Sequence, residues 1–151
     1  MERKTHKVLG YEVDLLTFND AVKVILENIK EKKGMQIVTI NPEMIELAGK
    51  SKVFSSILKN ADMVVPDGSG IKLALKLQGI KQEQIPGIDL AHELIASCEV
   101  FNYPIALIGA KENVIQTTVR RLKSEFQGIN ISYYKNGYFP SSKEDEIIDS
   151  L

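Results

Sequence analysis

Four short apolar runs, "MQIVTI", "ADMVVP", "YPIALIGA" and "INISYY", constrain this chain more than any other feature. Each is rich in β-branched or aromatic residues and is followed by a stretch long enough for a helix. Parallel strands need a crossover of about a dozen residues or more, whereas antiparallel ones can be joined by two. The alternation therefore predicts an α/β layer fold, with a mainly parallel sheet flanked by helices. Ahead of it, "HKVLGYEVDLL" places β-branched and apolar residues around Gly10, which predicts a small amino-terminal β-hairpin.

The intervening stretches carry helical signals. In "TFNDAVKVILENIKEKK", Ala21, Val22, Ile25, Leu26 and Ile29 fall on one stripe, with Thr17 as N-cap and Asp20 three residues on as a weak capping box. "NPEMIELAGKSKVFSSILKN" reads as one or two helices entered at Asn41–Pro42. "GSGIKLALKLQ" and "GIDLAHELIASCEV" are further helices, and "KENVIQTTVRRLKSEFQG" is a long one closed by Gly128 as C-cap. After the "KNGYF" turn, "SSKEDEIIDSL" begins a helix with no strand behind it, so the end reads as cut.

Composition narrows the function classes. The 151 residues suit one domain, and 44% hydrophobic with 26% charged is ordinary globular usage. A net charge of -1, from 19 basic and 20 acidic residues, argues against nucleic acid as a partner. The single cysteine, Cys98, permits no intrachain disulfide and fits a reducing compartment. Its helical context reads as a buried core thiol. No apolar run approaches the ~20 residues of a membrane span, and the start "MERKTHKVLG" lacks a secretory core. The expected location is cytoplasmic.

In such Rossmann-like sheets, ligands bind beyond the carboxyl ends of the strands. Three loops qualify: "TINPE", "PDGSG" and "LIGAKEN". The first offers the Thr39 hydroxyl and the Asn41 amide. The second offers Asp67 and the backbone N–H groups of Gly68 and Ser69 at a helix start, a place that favours anions. Each has a structural alternative: a helix cap at Asn41–Pro42, a turn plus N-cap at Asp67–Gly68, a tight strand-to-helix turn at Gly109. No P-loop and no dinucleotide fingerprint follows a strand, which disfavours a nicotinamide oxidoreductase. His6 and His92 are far apart in sequence, and no D-x-D pair is present; "EVD" at 12–14 fits a solvated hairpin face.

Taken together, "TINPEMIELA", "ADMVVPDGSGI", "IPGIDL", "IALIGAKENV" and "NGYF" resemble, in order and spacing, the WecG/TagA/CpsF glycosyltransferases. The resemblance covers nearly the whole chain and implies an inverting transfer of an N-acetylhexosamine, N-acetylmannosamine or a related sugar. The implied donor is a UDP-sugar and the implied acceptor a polyprenyl-diphosphate-linked N-acetylglucosamine. Such steps serve teichoic acid and cell-surface polysaccharide synthesis at the inner face of the plasma membrane. The resemblance also implies that no metal or other cofactor is needed. It assigns Asp67 as catalytic base, with Thr39, Asn41, Gly68, Ser69, Gln84, Gly87, Asp89, Gly109, Gly137 and Tyr138 as substrate-binding positions.

Two departures stand out. Gln84, in "EQIPGIDL", occupies a place where the family carries arginine. An arginine binds phosphate bidentately with a permanent charge, and a neutral amide does not. By analogy with a lost oxyanion donor, the change is worth ~3 kcal/mol of transition-state stabilisation. Lys72, Lys76 and Lys81 are candidates to compensate. Second, the family continues into a carboxyl-terminal segment that meets the membrane. Residues 1–151 are expected to be a single core domain without it, and this shortened form is a candidate for homo-oligomerisation. The alternative function is a weak or inactive nucleotide-sugar-binding module of the same fold.

Overall fold

In the computed structural model, which describes residues 4–151, the chain opens on the expected antiparallel hairpin. The first three residues, on which the expectation about a secretory core partly rests, lie outside the described residues. Strand β1 (Thr5–Val8) pairs with β2 (Tyr11–Asp14), Thr5 opposite Asp14 and Val8 opposite Tyr11. Leu9 and Gly10 make the two-residue loop with φ of 50° and 93°. Both angles are left-handed, as a turn that follows the strand twist requires. Glycine adopts this freely, and Leu9 does so at some steric cost.

The chain forms two compact units, one running to His92 and the other from Glu93. After the hairpin, the first holds α1 (Phe18–Lys30), β3 (Ile37–Ile40), α2 (Pro42–Lys50), α3 (Lys52–Asn60), β4 (Met63–Pro66) and α4 (Ser69–Leu77). Helix α5 (Gly87–Phe101) starts in this unit and continues into the second. The α1 cap forms as the sequence predicts: the Asp20 N–H donates to Thr17 Oγ1 at 3.1 Å, and that hydroxyl donates to Asp20 Oδ2 at 2.7 Å. Helices α2 and α3 are separate because Ser51 is extended and accepts the Phe54 N–H, capping a new start.

Strands β3 and β4 pair in parallel, Ile37 with Met63 through Ile40 with Pro66. All four β4 residues are buried, the signature of a strand covered on both faces. Val38, Ile40 and Val64 join Val8, Tyr11, Leu58 and Leu75 in the hydrophobic core. Each fully buried aliphatic side chain there contributes ~1.5–3 kcal/mol. Strand alternation sends Thr39 to the opposite face from Val38 and Ile40.

The far edge of β4 is satisfied by a side chain. The Met63 and Asp67 N–H groups bond Gln36 and Ile40 on the β3 side, so the Val64 N–H points away from β3. There it donates to Asp14 Oδ2 at 2.7 Å, with Asp14 only 3% exposed. Asp14→Ala would strand that buried donor and is expected to cost about 1–3 kcal/mol, read by denaturant unfolding.

The second unit contains β5 (Ile105–Ile108), α6 (Glu112–Glu125), β6 (Ile131–Lys135), a 3-10 turn at Ser141–Lys143 and α7 (Glu144–Asp149). Strands β5 and β6 are parallel, with a register shift between Ile105 and Ala106. Helix α6 lies against β6 and buries Ile115 and Val119. Gly128 does not cap it. The helix ends at Phe126, whose side chain is buried, and the Gly128 N–H donates to Glu99 Oε1 at 2.7 Å. Cys98 is the buried thiol the sequence indicates, and burial pushes its pKa up.

Candidate functional site

The carboxyl ends of β3 and β4 bring three of the expected site residues together. Asp67 extends the ladder by one bond, its N–H donating to Ile40 O at 2.9 Å. From that half-buried position its Oδ2 accepts the Gly87 N–H at 3.2 Å, at the first turn of α5. A carboxylate at a helix start is favoured by the exposed amides and the dipole. Gly87 in turn lies against Thr39: a Cβ built on it would fall 2.7 Å from Thr39 Oγ1 and 3.1 Å from Cγ2. Only a glycine lets α5 start this close to β3. The Thr39 hydroxyl, the Asp67 carboxylate and the Gly87 backbone therefore form one cluster.

The loop entering α5 is pinned on three sides. The Ile85 N–H donates to Pro66 O at 2.8 Å, and Ile85 is fully buried. Gln82 Nε2 donates to Leu16 O at 2.5 Å, and the Glu83 carboxylate accepts the Phe18 N–H. Gln84 sits between Glu83 and Ile85, half-buried, on a segment held next to the end of β4. Pro86 O accepts from the Leu90 N–H, closing the first turn of α5. Asp89 is exposed in that same turn.

The remaining first-unit residues occupy the neighbouring helix starts. Asn41 caps α2, its Oδ1 accepting the Met44 N–H at 2.9 Å, so the structural role is real. Gly68 is the residue preceding α4, with φ of 85°, and Ser69 is the first, exposed residue of that helix. The expected turn at Asp67–Gly68 is present, but the Asp67 side chain serves α5 rather than α4. Gly70 was not singled out by sequence. A Cβ there would lie 2.5 Å from Pro42 Cγ, so it sets how closely α4 approaches α2. The G-x-G spacing in "GSG" was the available signal.

Three expected residues belong to the second unit and gather at the ends of β5 and β6. Gly109 (φ 141°) and Ala110 (φ 57°) make the tight strand-to-helix turn. The Gly137 N–H donates to Ala110 O at 2.9 Å, and a Cβ on Gly137 would meet the Gly109 Cα at 3.1 Å. Tyr138 is 75% exposed, with its N–H on Asn136 Oδ1 at 2.9 Å. Asn136 Nδ2 also donates to Glu112 Oε2 at 2.6 Å; this bond, then that from Gln116, holds the Glu112 carboxyl below its usual pKa. No local spacing links Glu112 to Asn136, 24 residues on, although both lie inside the "KEN" and "KNG" segments.

An acidic side chain, a hydroxyl and glycine backbone meet at the carboxyl ends of parallel strands in an α/β protein, the place where ligands bind in open sheets of this class. The chain belongs to the glycosyl transferase WecG/TagA/CpsF family, whose model matches residues 6–151. It is 34% identical over 117 residues to the N-acetylglucosaminyldiphosphoundecaprenol N-acetyl-beta-D-mannosaminyltransferase of Bacillus spizizenii, covering 77% of this chain and 46% of that protein. The protein of the same name from Bacillus subtilis is 33% identical over 111 residues, 73% of this chain and 43% of its own. That from Staphylococcus aureus strain NCTC 8325 is 27% identical over 148 residues, 93% and 56% respectively. The chain thus spans about half the length of these relatives.

Proposed function

We propose that this chain carries the catalytic core of an inverting glycosyltransferase. It would move an N-acetylhexosamine, N-acetylmannosamine in the first instance, from a UDP-sugar to a polyprenyl-diphosphate-linked N-acetylglucosamine. The observation that carries the reading is Asp67 fixed by the Gly87 N–H against Thr39, at positions that match the family's motifs. In this mechanism the acceptor hydroxyl oxygen attacks the anomeric carbon as the bond to UDP breaks, and the anomeric configuration inverts. The Asp67 carboxylate accepts the hydroxyl proton. UDP leaves with the bonding electron pair.

The charge on departing UDP needs donors aimed at it. On this reading, the backbone N–H groups of Ser69 and Gly70 at the start of α4 supply them, without a metal. Gly68 permits that approach because its φ of 85° needs no side chain to bend around. The Asn41 oxygen is engaged in its cap, so the side-chain amide nitrogen is the atom a sugar or phosphate would meet. No helix among the described residues is long and apolar enough to cross a membrane. Access to a lipid-linked acceptor at the inner face of the plasma membrane is therefore proposed as peripheral.

Gln84 supports a second reading, a nucleotide-sugar-binding module with little turnover. It sits on the pinned loop beside β4, where the family's arginine would place a permanent charge. Calorimetry with UDP and UDP-N-acetylmannosamine beside a transfer assay separates the readings. Binding plus transfer is expected, with Gln84→Arg raising transfer by roughly tenfold or more. Binding without transfer, unchanged by Gln84→Arg, would favour the module. No binding at all would remove both.

A further inference from the structure

The outward face of α4 sets two bare leucines beside lysines with no acid among them. Leu73 and Leu77, one turn apart, are 56% and 80% exposed, while Ile71 and Leu75 on the inner side are fully buried. At the helical period, Leu73 points almost directly away from that buried pair, and Lys72 and Lys76 form the adjacent stripe. From Ser69 to Gln82 there are three lysines and no aspartate or glutamate, in a chain whose net charge is -1. The third, Lys81, joins Lys72 and Lys76 around a cavity of about 370 Å³ completed by Gly79, Ile80 and Gln82.

The backbone fixes this arrangement. Gly79, with φ of 78°, ends α4: its N–H donates to Lys76 O and the Ile80 N–H to Leu75 O, both at 3.0 Å. The chain therefore turns back at once, and Lys81 is held on the same side as the helix lysines.

We propose that this face docks on an anionic phospholipid bilayer, the leucines entering the acyl boundary and the three lysines lying over head-group phosphates. Charge decides the occupant. A second copy in a two-fold contact would set these lysines against themselves. A protein partner's interface core is ordinarily depleted in lysine. A sheet of phosphates answers both leucine and lysine. The surface deepens the peripheral reading above by naming residues for it, but vesicle binding is measured without sugar transfer, so either can fail alone.

The test is cosedimentation of the full chain with phosphatidylcholine vesicles, with and without phosphatidylglycerol. Binding is expected only with phosphatidylglycerol and is expected to weaken as salt rises. Lys72→Gln with Lys76→Gln should lower partitioning about 25-fold, roughly fivefold per lysine. Leu73→Ser with Leu77→Ser should lower it about tenfold or more. The control Arg121→Gln with Lys123→Gln, on exposed positions of α6, should leave it within about twofold. Circular dichroism melting should be unchanged in all three, since every altered side chain is exposed. Equal binding to both vesicle types, or equal loss in the control, would overturn the proposal. So would an unbound wild-type dimer that Leu73→Ser with Leu77→Ser converts to monomer by light scattering. Vesicle binding with no UDP binding would leave the lipid surface standing and remove the transferase reading.

Discussion

Asp67→Asn is expected to lower sugar transfer by about 10²–10⁴-fold while leaving unfolding stability almost unchanged. The two effects separate because the structural bond of this residue survives the substitution and the proposed proton transfer does not. Its Oδ2 accepts the Gly87 N–H at 3.2 Å, and an asparagine oxygen can accept the same bond. An amide cannot take up the acceptor hydroxyl's proton. Asp67→Ala removes both, so its transfer should fall as far, with a further loss of about 0.5–1 kcal/mol from the start of α5. That figure is at the low end because the bond is long and the side chain half-buried. UDP affinity by calorimetry should change little in Asp67→Asn, since in the proposed mechanism the base acts on the acceptor. Wild-type transfer rates in Asp67→Asn would show that this carboxylate only positions the helix.

The parts of the molecule legible in the sequence are those set by neighbours within a turn or two. The strand–helix alternation, the hairpin at Gly10, the Thr17 cap and the Asn41 cap depend on local spacing, and each stands where that spacing puts it. Gly128 shows the opposite case. As a residue after an amphipathic run it looks like a cap, yet burial of Phe126 ends the helix sooner, and Glu99, 29 positions back, claims the Gly128 N–H. The Ser51 break between α2 and α3 was ambiguous because "KSK" interrupts two apolar stripes that could equally run on. At the site, Asp67 and Gly87 are 20 residues apart, and no helical or strand period links them. Their order is readable only as a family motif, and local pattern alone leaves Asp67 open between a ligand site and a turn with an N-cap. Asp14 fits a solvated hairpin surface by local pattern and departs from it for the same reason: the Val64 N–H that draws it into the interior lies 50 residues on.

Gly87→Ala is the substitution in which two opposed effects have most clearly different sizes. In an exposed helix, alanine is favoured over glycine by up to ~1 kcal/mol, and less at the first turn. Gly87 has no left-handed backbone to protect, so on propensity alone the variant should gain. Packing reverses the sign. The new Cβ would meet Thr39 Oγ1 at 2.7 Å, Cγ2 at 3.1 Å and Cβ at 3.2 Å, and Thr39 is fixed in a strand paired with β4. Overpacking of this kind costs about 1–3 kcal/mol. The net expectation is a loss of about 1–2 kcal/mol, or roughly 2–8 °C in Tm for a chain of this size. Transfer should fall as well, because moving α5 off β3 draws the Gly87 N–H away from Asp67. Thr39→Ala removes the two nearest obstructing atoms but leaves the Cβ contact. The double variant Gly87→Ala with Thr39→Ala should therefore recover part of the loss, with a coupling of at least about 0.5 kcal/mol. Strict additivity of the two single effects would mean that α5 already has room to move, and that the close approach of helix to strand does not hold the carboxylate in place.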